Sequence, residues 1–329
     1  MYRRCFARAV LAAVATTVVL CAPAPTAAQA PYPSRPIRII IPFAGGSGSD
    51  IIARVVGEAI GQKLGVPVVP ETREGGGGAI GATMVAKSAP DGYTLLSAAN
   101  PMTVTPYMMK SPPYDPAKDF APIARVAVIP LVLVTGSQST YKTFQDLAMR
   151  MKAEPGKVNY ATGGKGSPSH LEVELFLRVL GVQARDVPYK NIGQGLTDTI
   201  GGRTDFIVAS LPISMAHIQS GSLRALAVGS PTRLATLPDV PTLAELLGKP
   251  GYDASAWYGF MAPAGTPPDV VTRLGDEVQK SVALPEVRAR IEGTGGRIAL
   301  AGPAEFNAQI QAESEKWGRL VREMGLTMD

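Results

Sequence analysis

Between Ile37 and Leu64 the chain reads IRIIIPFAGGSGSDIIARVVGEAIGQKL. The apolar run at its start is too short for a helix and suits a buried parallel strand, which Pro42 ends. Gly45-Gly46-Ser47-Gly48-Ser49-Asp50 follows, a loop able to turn sharply and to expose backbone N–H groups. Ile51, Val55 and Ala59, with Ile52, Val56 and Ile60, then recur at four-residue spacing, one apolar stripe of an amphipathic helix. Unpaired N–H groups and the positive end of a helix dipole would therefore point at one spot, which can hold an anion. A plain strand-to-helix turn also needs glycines, so from this stretch alone the loop reads as an anion seat or as a connection. Asp50 is predicted as the helix N-cap, with fixing the loop or receiving an ammonium group as its second role.

The first thirty residues read as a targeting segment. Arg3, Arg4 and Arg8 form a basic start, Ala9 to Cys21 an apolar run too short to span a bilayer, and the stretch up to Ala30 a small-residue region. Cleavage after Ala30 or after Ala28 fits, and Arg3-Arg4 leaves the export route open. Both cysteines, Cys5 and Cys21, would leave with it, so the exported chain holds no disulfide, thiolate metal site or cysteine nucleophile. Three arginines leave too, taking the formal charge from +5 to +2, which is no nucleic-acid footprint.

The remainder, within 329 residues, is long enough for two α/β domains. In the first, Val66 to Val69 and Tyr93 to Ala98 read as strands, with a helix over 79–88 led in by Gly75 to Gly78. Ile123 to Val128 and Leu131 to Val134 read as separate strand segments broken by Pro130, on either side of a domain crossing. A second α/β unit follows. Thr143 to Asp146 is a capping-box pattern opening a helix. A strand over 158–161 leads into the loop Gly163-Gly164-Lys165-Gly166-Ser167 and a helix over 170–180. Strands over 206–209 and 223–228 flank another helix. The chain then returns to the first domain through Pro238 to Pro241, a second capping box at Thr242 to Glu245, a strand over 256–261, and helices starting at Pro268 and Pro303. Phe306, Ile310, Trp317, Leu320 and Val321 are the expected core of the last helix.

Gly76-x-Gly78-x-x-Gly81 has the letters of a dinucleotide fingerprint, but it follows charged residues instead of springing directly from a strand, so it reads as a glycine-rich turn. Gly164-Lys165-Gly166 lacks the serine or threonine a phosphate loop needs. His170 and His217 are too few for a zinc site without thiolates. His170, in the first turn after the second glycine loop, reads as a donor to a bound carboxylate or as a cap. Glu172 and Glu174, on one surface helix and two apart, are no acid–base pair. No nucleophile, base and oxyanion donor assemble, so no catalytic residue, metal or cofactor is expected.

The chain from Tyr32 onward resembles the solute receptors of the tripartite tricarboxylate transporter system, the Bug-type periplasmic binding proteins. The likeness rests on Tyr32-Pro33-Ser34-Arg35-Pro36-Ile37, Pro42-Phe43-Ala44-Gly45-Gly46 with Asp50, Pro90-Asp91-Gly92-Tyr93-Thr94-Leu95-Leu96, and Tyr114-Asp115-Pro116. It continues through Gly166-Ser167 with His170-Leu171, Val187-Pro188-Tyr189-Lys190, Leu223 to Val228, Leu237 to Thr242 and Ala262 to Pro267. The resemblance implies an α/β, two-lobed periplasmic-binding-protein fold, type II-like, each lobe a doubly wound and mainly parallel sheet with a ligand cleft between. The expected organisation is a signal peptide over 1–30, a discontinuous lobe 1 over 31–130 and 230–329, and lobe 2 over 131–229. It implies a carboxylate held by Phe43, Ala44, Gly46, Ser47 and Asp50 from the first lobe and by Gly166, Ser167 and His170 from the second. Ser49, Ser97, Asn100, Gly163, Lys165, Tyr189 and Ser210 complete the expected ligand-binding set. Lys165, Asn191 and the pair Ser210-Leu211 depart from the family's usual residues, around the expected far end of the ligand.

The expected function is a monomeric periplasmic receptor that delivers a small carboxylate to the permease subunits of a tripartite transporter, without nucleic acid, cofactor or metal. A sensor presenting ligand to a membrane signalling partner is the alternative. An exported enzyme acting on a carboxylic acid stands behind both.

Overall fold

Ile37–Ile41 forms strand β1, with its four isoleucines buried and Arg38 turned outward. The computed structural model describes residues 32–43 and 45–328, so the expected leader and Ala44 lie outside the described residues. Helix α1 (Gly48–Leu64) follows, started by Ser47 and stopped by Gly65 in the left-handed conformation at φ 69°. Strand β2 (Val68–Thr72), a 3₁₀ turn at Gly76–Gly78, α2 (Ala79–Ala86) and β3 (Thr94–Ala99) complete the unit, with β1 parallel to both β2 and β3. The second strand thus lies later than the apolar run Val66 to Val69 suggests and takes in Glu71. Its register is set by pairing Ile37 with Val68 through Ile41 with Thr72.

β4 (Phe120–Gly136) is one unbroken strand of 17 residues, which corrects the expected break at Pro130. Pro130 is the last residue paired with β9 (Ser255–Pro263), and Leu131 is the first paired with β7 (Phe206–Ser210). It stands where the partner strand changes, so its missing N–H interrupts neither ladder. Beyond it come α3 (Phe144–Ala153), β5 (Asn159–Thr162), α4 (Pro168–Leu180), β6 (Arg185–Pro188), α5 (Ile192–Ile200), then β7, α6 (Leu211–Gln219) and β8 (Leu223–Val228). The return carries α7 (Leu243–Leu247), β9, α8 (Pro268–Val282), α9 (Pro285–Glu292), β10 (Arg297–Ala301) and α10 (Pro303–Met324). The strands run in the order β2-β1-β3-β9-β4-β7-β5-β6, with β8 and β10 also on β4. Parallel pairs form the outer parts of both lobes, and antiparallel pairs with β4 and β9 join them.

The capping box at Thr143 and Asp146 forms in full. The second, at Thr242, forms only by half: Thr242 accepts from the Glu245 N–H, while the Glu245 carboxylate turns to Arg233 at 2.8 Å. α9 and β10 have no counterpart in the expected elements. α9 buries only Val287 and Ile291, and β10 mixes exposed with half-buried positions, so neither leaves a clear period in the sequence.

One core lies under β1, β3 and β9, where Trp257 meets Phe306 of α10 edge-on at 5.2 Å. A second gathers Tyr160, Phe176 and Phe206, together with Leu243 and Ala254 from the segment between β8 and β9. A third cluster packs Leu171 of α4 against Val104, Met108 and Val321 of α10, with Trp317, Leu326 and Met328 at its edge. Fully burying each such side chain stabilises the fold by about 1.5–3 kcal/mol. This third cluster ties the two lobes at one side of the cleft.

Candidate functional site

The first loop is built from its own short-range bonds. Ser47 is the N-cap of α1, its hydroxyl accepting the Asp50 N–H, which corrects the expectation that Asp50 is the cap. Asp50 stands in the first turn. Its carboxylate takes the Gly46 N–H at 3.0 Å on one oxygen and the Arg54 guanidinium at 2.7 Å on the other. It therefore fixes the loop, with its charge already paired. Behind it Ser49 and Ser97, both fully buried, join hydroxyl to hydroxyl at 2.8 Å, and Ser97 also donates to the Ser49 carbonyl. That pair pins the first turn of α1 to β3.

The second loop repeats the plan. Ser167 caps α4 by accepting the His170 N–H, and the Gly166 N–H donates to His170 Nδ1 at 3.3 Å. Gly46 and Gly166 both have φ 78°, a conformation in which a side chain is strained. His170 is 5% exposed, and burial lowers its pKa, with Lys165 acting in the same direction against Asp186 and Glu174. Glu172, expected on a surface helix, is instead buried. It accepts the Tyr252 hydroxyl at 2.6 Å, and its carboxyl is pushed up to about 8. Glu174 accepts the Tyr160 hydroxyl at 2.6 Å.

The two loops line one cleft of about 810 Å³. Ser47, Gly48 and Ser49 reach it at the start of α1, and Lys165, Ser167 and Ser169 from the second loop and the start of α4. The first N–H groups of each helix have no acceptor within the helix. The walls are largely apolar: Pro42, Phe43, Leu131, Ile192, Ile213, Tyr258 and Met328. Three exposed charges lie on the lining, Glu74, Lys165 and Lys190. The lobes touch at the rim, since a methyl group on Gly77 would fall 3.3 Å from the Lys165 carbonyl oxygen, and one on Gly166 would fall 3.2 Å from the Thr105 hydroxyl.

Of the residues singled out from sequence, Phe43, Ser47, Ser49, Gly163, Lys165, Ser167, Tyr189 and Ser210 lie on the cleft lining. Gly46, Asp50, Gly166 and His170 stand behind it and shape the two loops. Ser97 is buried behind Ser49, and Asn100 is spent on the Trp257 N–H at 2.6 Å. Ala44 lies outside the described residues. Glu74, the glycines 75–78, Tyr258 and Met328, also on the lining, are not among the residues that the sequence points to. The glycine run reads only as a turn. Tyr258 hides in an apolar strand, where its hydroxyl was the available signal, since a buried phenol needs a partner. Among the described residues no cluster of three acidic, histidine or cysteine side chains could hold a metal ion, and no helix is long and apolar enough to cross a membrane.

Residues 52–326 match the sequence profile of the tripartite tricarboxylate transporter family receptor. Protein BugT of Bordetella pertussis is 38% identical over 296 residues, covering 89% of this chain and 90% of that protein. The solved structure of the periplasmic binding protein BugD superposes with a TM-score of 0.83 at 32% identity, covering 90% of this chain and 99% of that one. A Rhodopseudomonas palustris protein solved with adipate gives a TM-score of 0.83 at 29% identity, covering 90% and 99%.

Proposed function

The chain belongs to the tripartite tricarboxylate transporter family of receptors, and on that premise we propose that it binds a small carboxylate in its cleft for delivery to a membrane permease. The observation that carries this reading is the duplicated loop. Two serine-capped helix N-termini, each preceded by a glycine at φ 78°, reach one cleft from opposite lobes. Such ends favour an anion through backbone N–H groups and the helix dipole, without an arginine. The bound adipate in the R. palustris relative supports the same class of ligand. The protein works in the periplasm as a monomer without chemistry of its own, and the permease reads the closed, loaded form. The expected boundary at 229 moves to the start of β9, because Leu243 and Ala254 pack in the core of the second lobe, so lobe 2 runs from 131 to 254 and lobe 1 resumes with β9. Of the residues named from sequence, those on the lining meet the ligand, and Gly46, Asp50, Gly166 and His170 hold the two loops.

Mass spectrometry of small molecules released when freshly purified protein is denatured tests this directly. A stoichiometric carboxylic acid that rebinds on calorimetry is the expected result. Release of a molecule without an acid group, or steady turnover of a bound acid, would overturn it.

A further inference from the structure

Tyr258 lies on β9 at the strands that join the lobes, paired in register with Ala99 of β3 and Ala127 of β4. It is 5% exposed and lines the cleft. Its ring lies against the first turn of α1: a methyl group on Gly48 would fall 2.4 Å from Tyr258 Cζ and 2.6 Å from its hydroxyl. Glycine at 48 is what lets the phenol reach the helix end. The other interior tyrosines spend their hydroxyls on the protein, Tyr114 on the Met102 carbonyl, Tyr160 on Glu174 and Tyr252 on Glu172. Among the described residues no polar atom partners the Tyr258 hydroxyl. The phenol is held by the fold while its hydroxyl opens onto the cleft without a protein partner, which leaves it free to donate to a group that arrives there.

The surroundings say which kind of group. Burial raises the Tyr258 pKa well above the ordinary phenol, so the hydroxyl keeps its proton and can donate. The helix end beside it presents N–H groups and positive potential, which select an anionic oxygen over a cation. Ser49 nearby is already engaged with Ser97, while Ser47 accepts from the Asp50 N–H and keeps its own proton to donate. We propose that Tyr258 is a ligand contact and specificity residue, its phenol donating to a carboxylate oxygen seated on the first turn of α1 at Gly48. This rests on the carboxylate-receptor reading and adds where the head group lies, against lobe 1 and its joining strand. The far end of the ligand then falls toward Lys165 and Lys190.

The test is Tyr258→Phe, which keeps the ring against Gly48 and removes only the hydroxyl. Calorimetry and thermal melts are run on both proteins with adipate, hexanoate and benzoate as probes. For every probe that the wild type binds, affinity should fall about tenfold or more in the variant, as expected for losing one bond to a charged group. The melting temperature of the empty variant should be unchanged, because the hydroxyl faces the cleft and has no protein partner to lose. Equal affinity in the two proteins overturns the inference while leaving the receptor reading in place. A lower melting temperature of the empty variant, with no selective loss of binding, also overturns it by making the hydroxyl structural. If none of the three probes binds the wild type, the carboxylate reading loses its support and this inference fails with it.

Discussion

The backbone N–H of Gly166 donates to Nδ1 of His170, as the N–H of Gly46 donates to the Asp50 carboxylate in the other lobe. The same place in the first helical turn is filled by an acceptor in both lobes, one anionic and one neutral. The neutral one has to stay unprotonated at Nδ1 to accept, and burial favours that form by lowering the His170 pKa.

His170 therefore sets a pH dependence. Burial holds its pKa below the ordinary 6.5, so the unfolded chain binds the proton more readily. Its contribution to stability is present above pH 6.5 and is lost as pH falls toward the folded value. Asp186 and Glu174 favour the proton, and Lys165 opposes it. His170→Asn keeps an acceptor for Gly166 and should flatten the loss between pH 7 and 5 in urea unfolding. His170→Ala should cost about 1–3 kcal/mol at neutral pH by leaving that N–H unpaired. A variant series with unchanged pH slope would reject this role.

Glu172 should act with the opposite sign. Its carboxyl, raised from 4.5 to about 8 by burial, favours the folded protein below pH 4.5, an advantage lost as pH rises through 8. Tyr252 donates to it, Asp253 pushes the pKa further up, and Lys316 of α10 pulls it down. Glu172→Gln should therefore gain on the wild type steadily from pH 5 to 8 and level off above. An equal difference at pH 5, 7 and 9 would count against it.

Ser47 and Ser167 serve helix and ligand together. Replacing either with alanine should lower the unfolding free energy by about 1 kcal/mol through loss of the cap. It should also weaken carboxylate binding by about 1.5–3 kcal/mol, on the order of ten- to a hundredfold. Calorimetry beside chemical denaturation separates the two, and stability loss without affinity loss would leave these serines as caps only.

Lys165 is exposed on the lining and makes no ion pair among the described residues. If it meets a second carboxylate, Lys165→Met should weaken adipate binding more than hexanoate binding, and the wild type's preference for adipate should shrink with salt. Equal losses for both acids would return Lys165 to the solvent.

The C-terminal segment is expected to slow release. Met328 lines the cleft, its sulfur would lie 3.1 Å from a methyl group on Gly166, and its N–H donates to the Met108 carbonyl at 3.0 Å. Deleting residues 326–329 should raise the dissociation rate of adipate several-fold and enlarge the particle in scattering. Unchanged kinetics would assign the segment to packing alone.

What could be read from sequence was local. The isoleucine run, the glycine loop and the helix stripe of α1 each carry their own period, and the structure follows them. β4 was misread because Pro130 was weighed without its partners, and only the register with Ser255 and the next pair at Leu131 shows that no ladder needs its N–H. His170 reads from sequence as a donor to a carboxylate or as a cap, and its ring in fact reaches back to its own loop, which the type of residue alone does not reveal. Glu172 looked like a surface charge because the tyrosine that buries it stands 80 residues away. Tyr258 and Met328 reach the cleft only through the return of the chain, a non-local fact.

The unbroken β4 also bears on how such receptors diversify. A crossover between two genes placed at Pro130, the natural seam in the sequence, would splice a strand whose two halves are registered against different neighbours. Exchange of whole lobes is disfavoured at that point, whereas substitution along the cleft wall leaves every ladder intact. New ligands are therefore expected to arise residue by residue along the cleft wall, with shuffled halves rarely surviving.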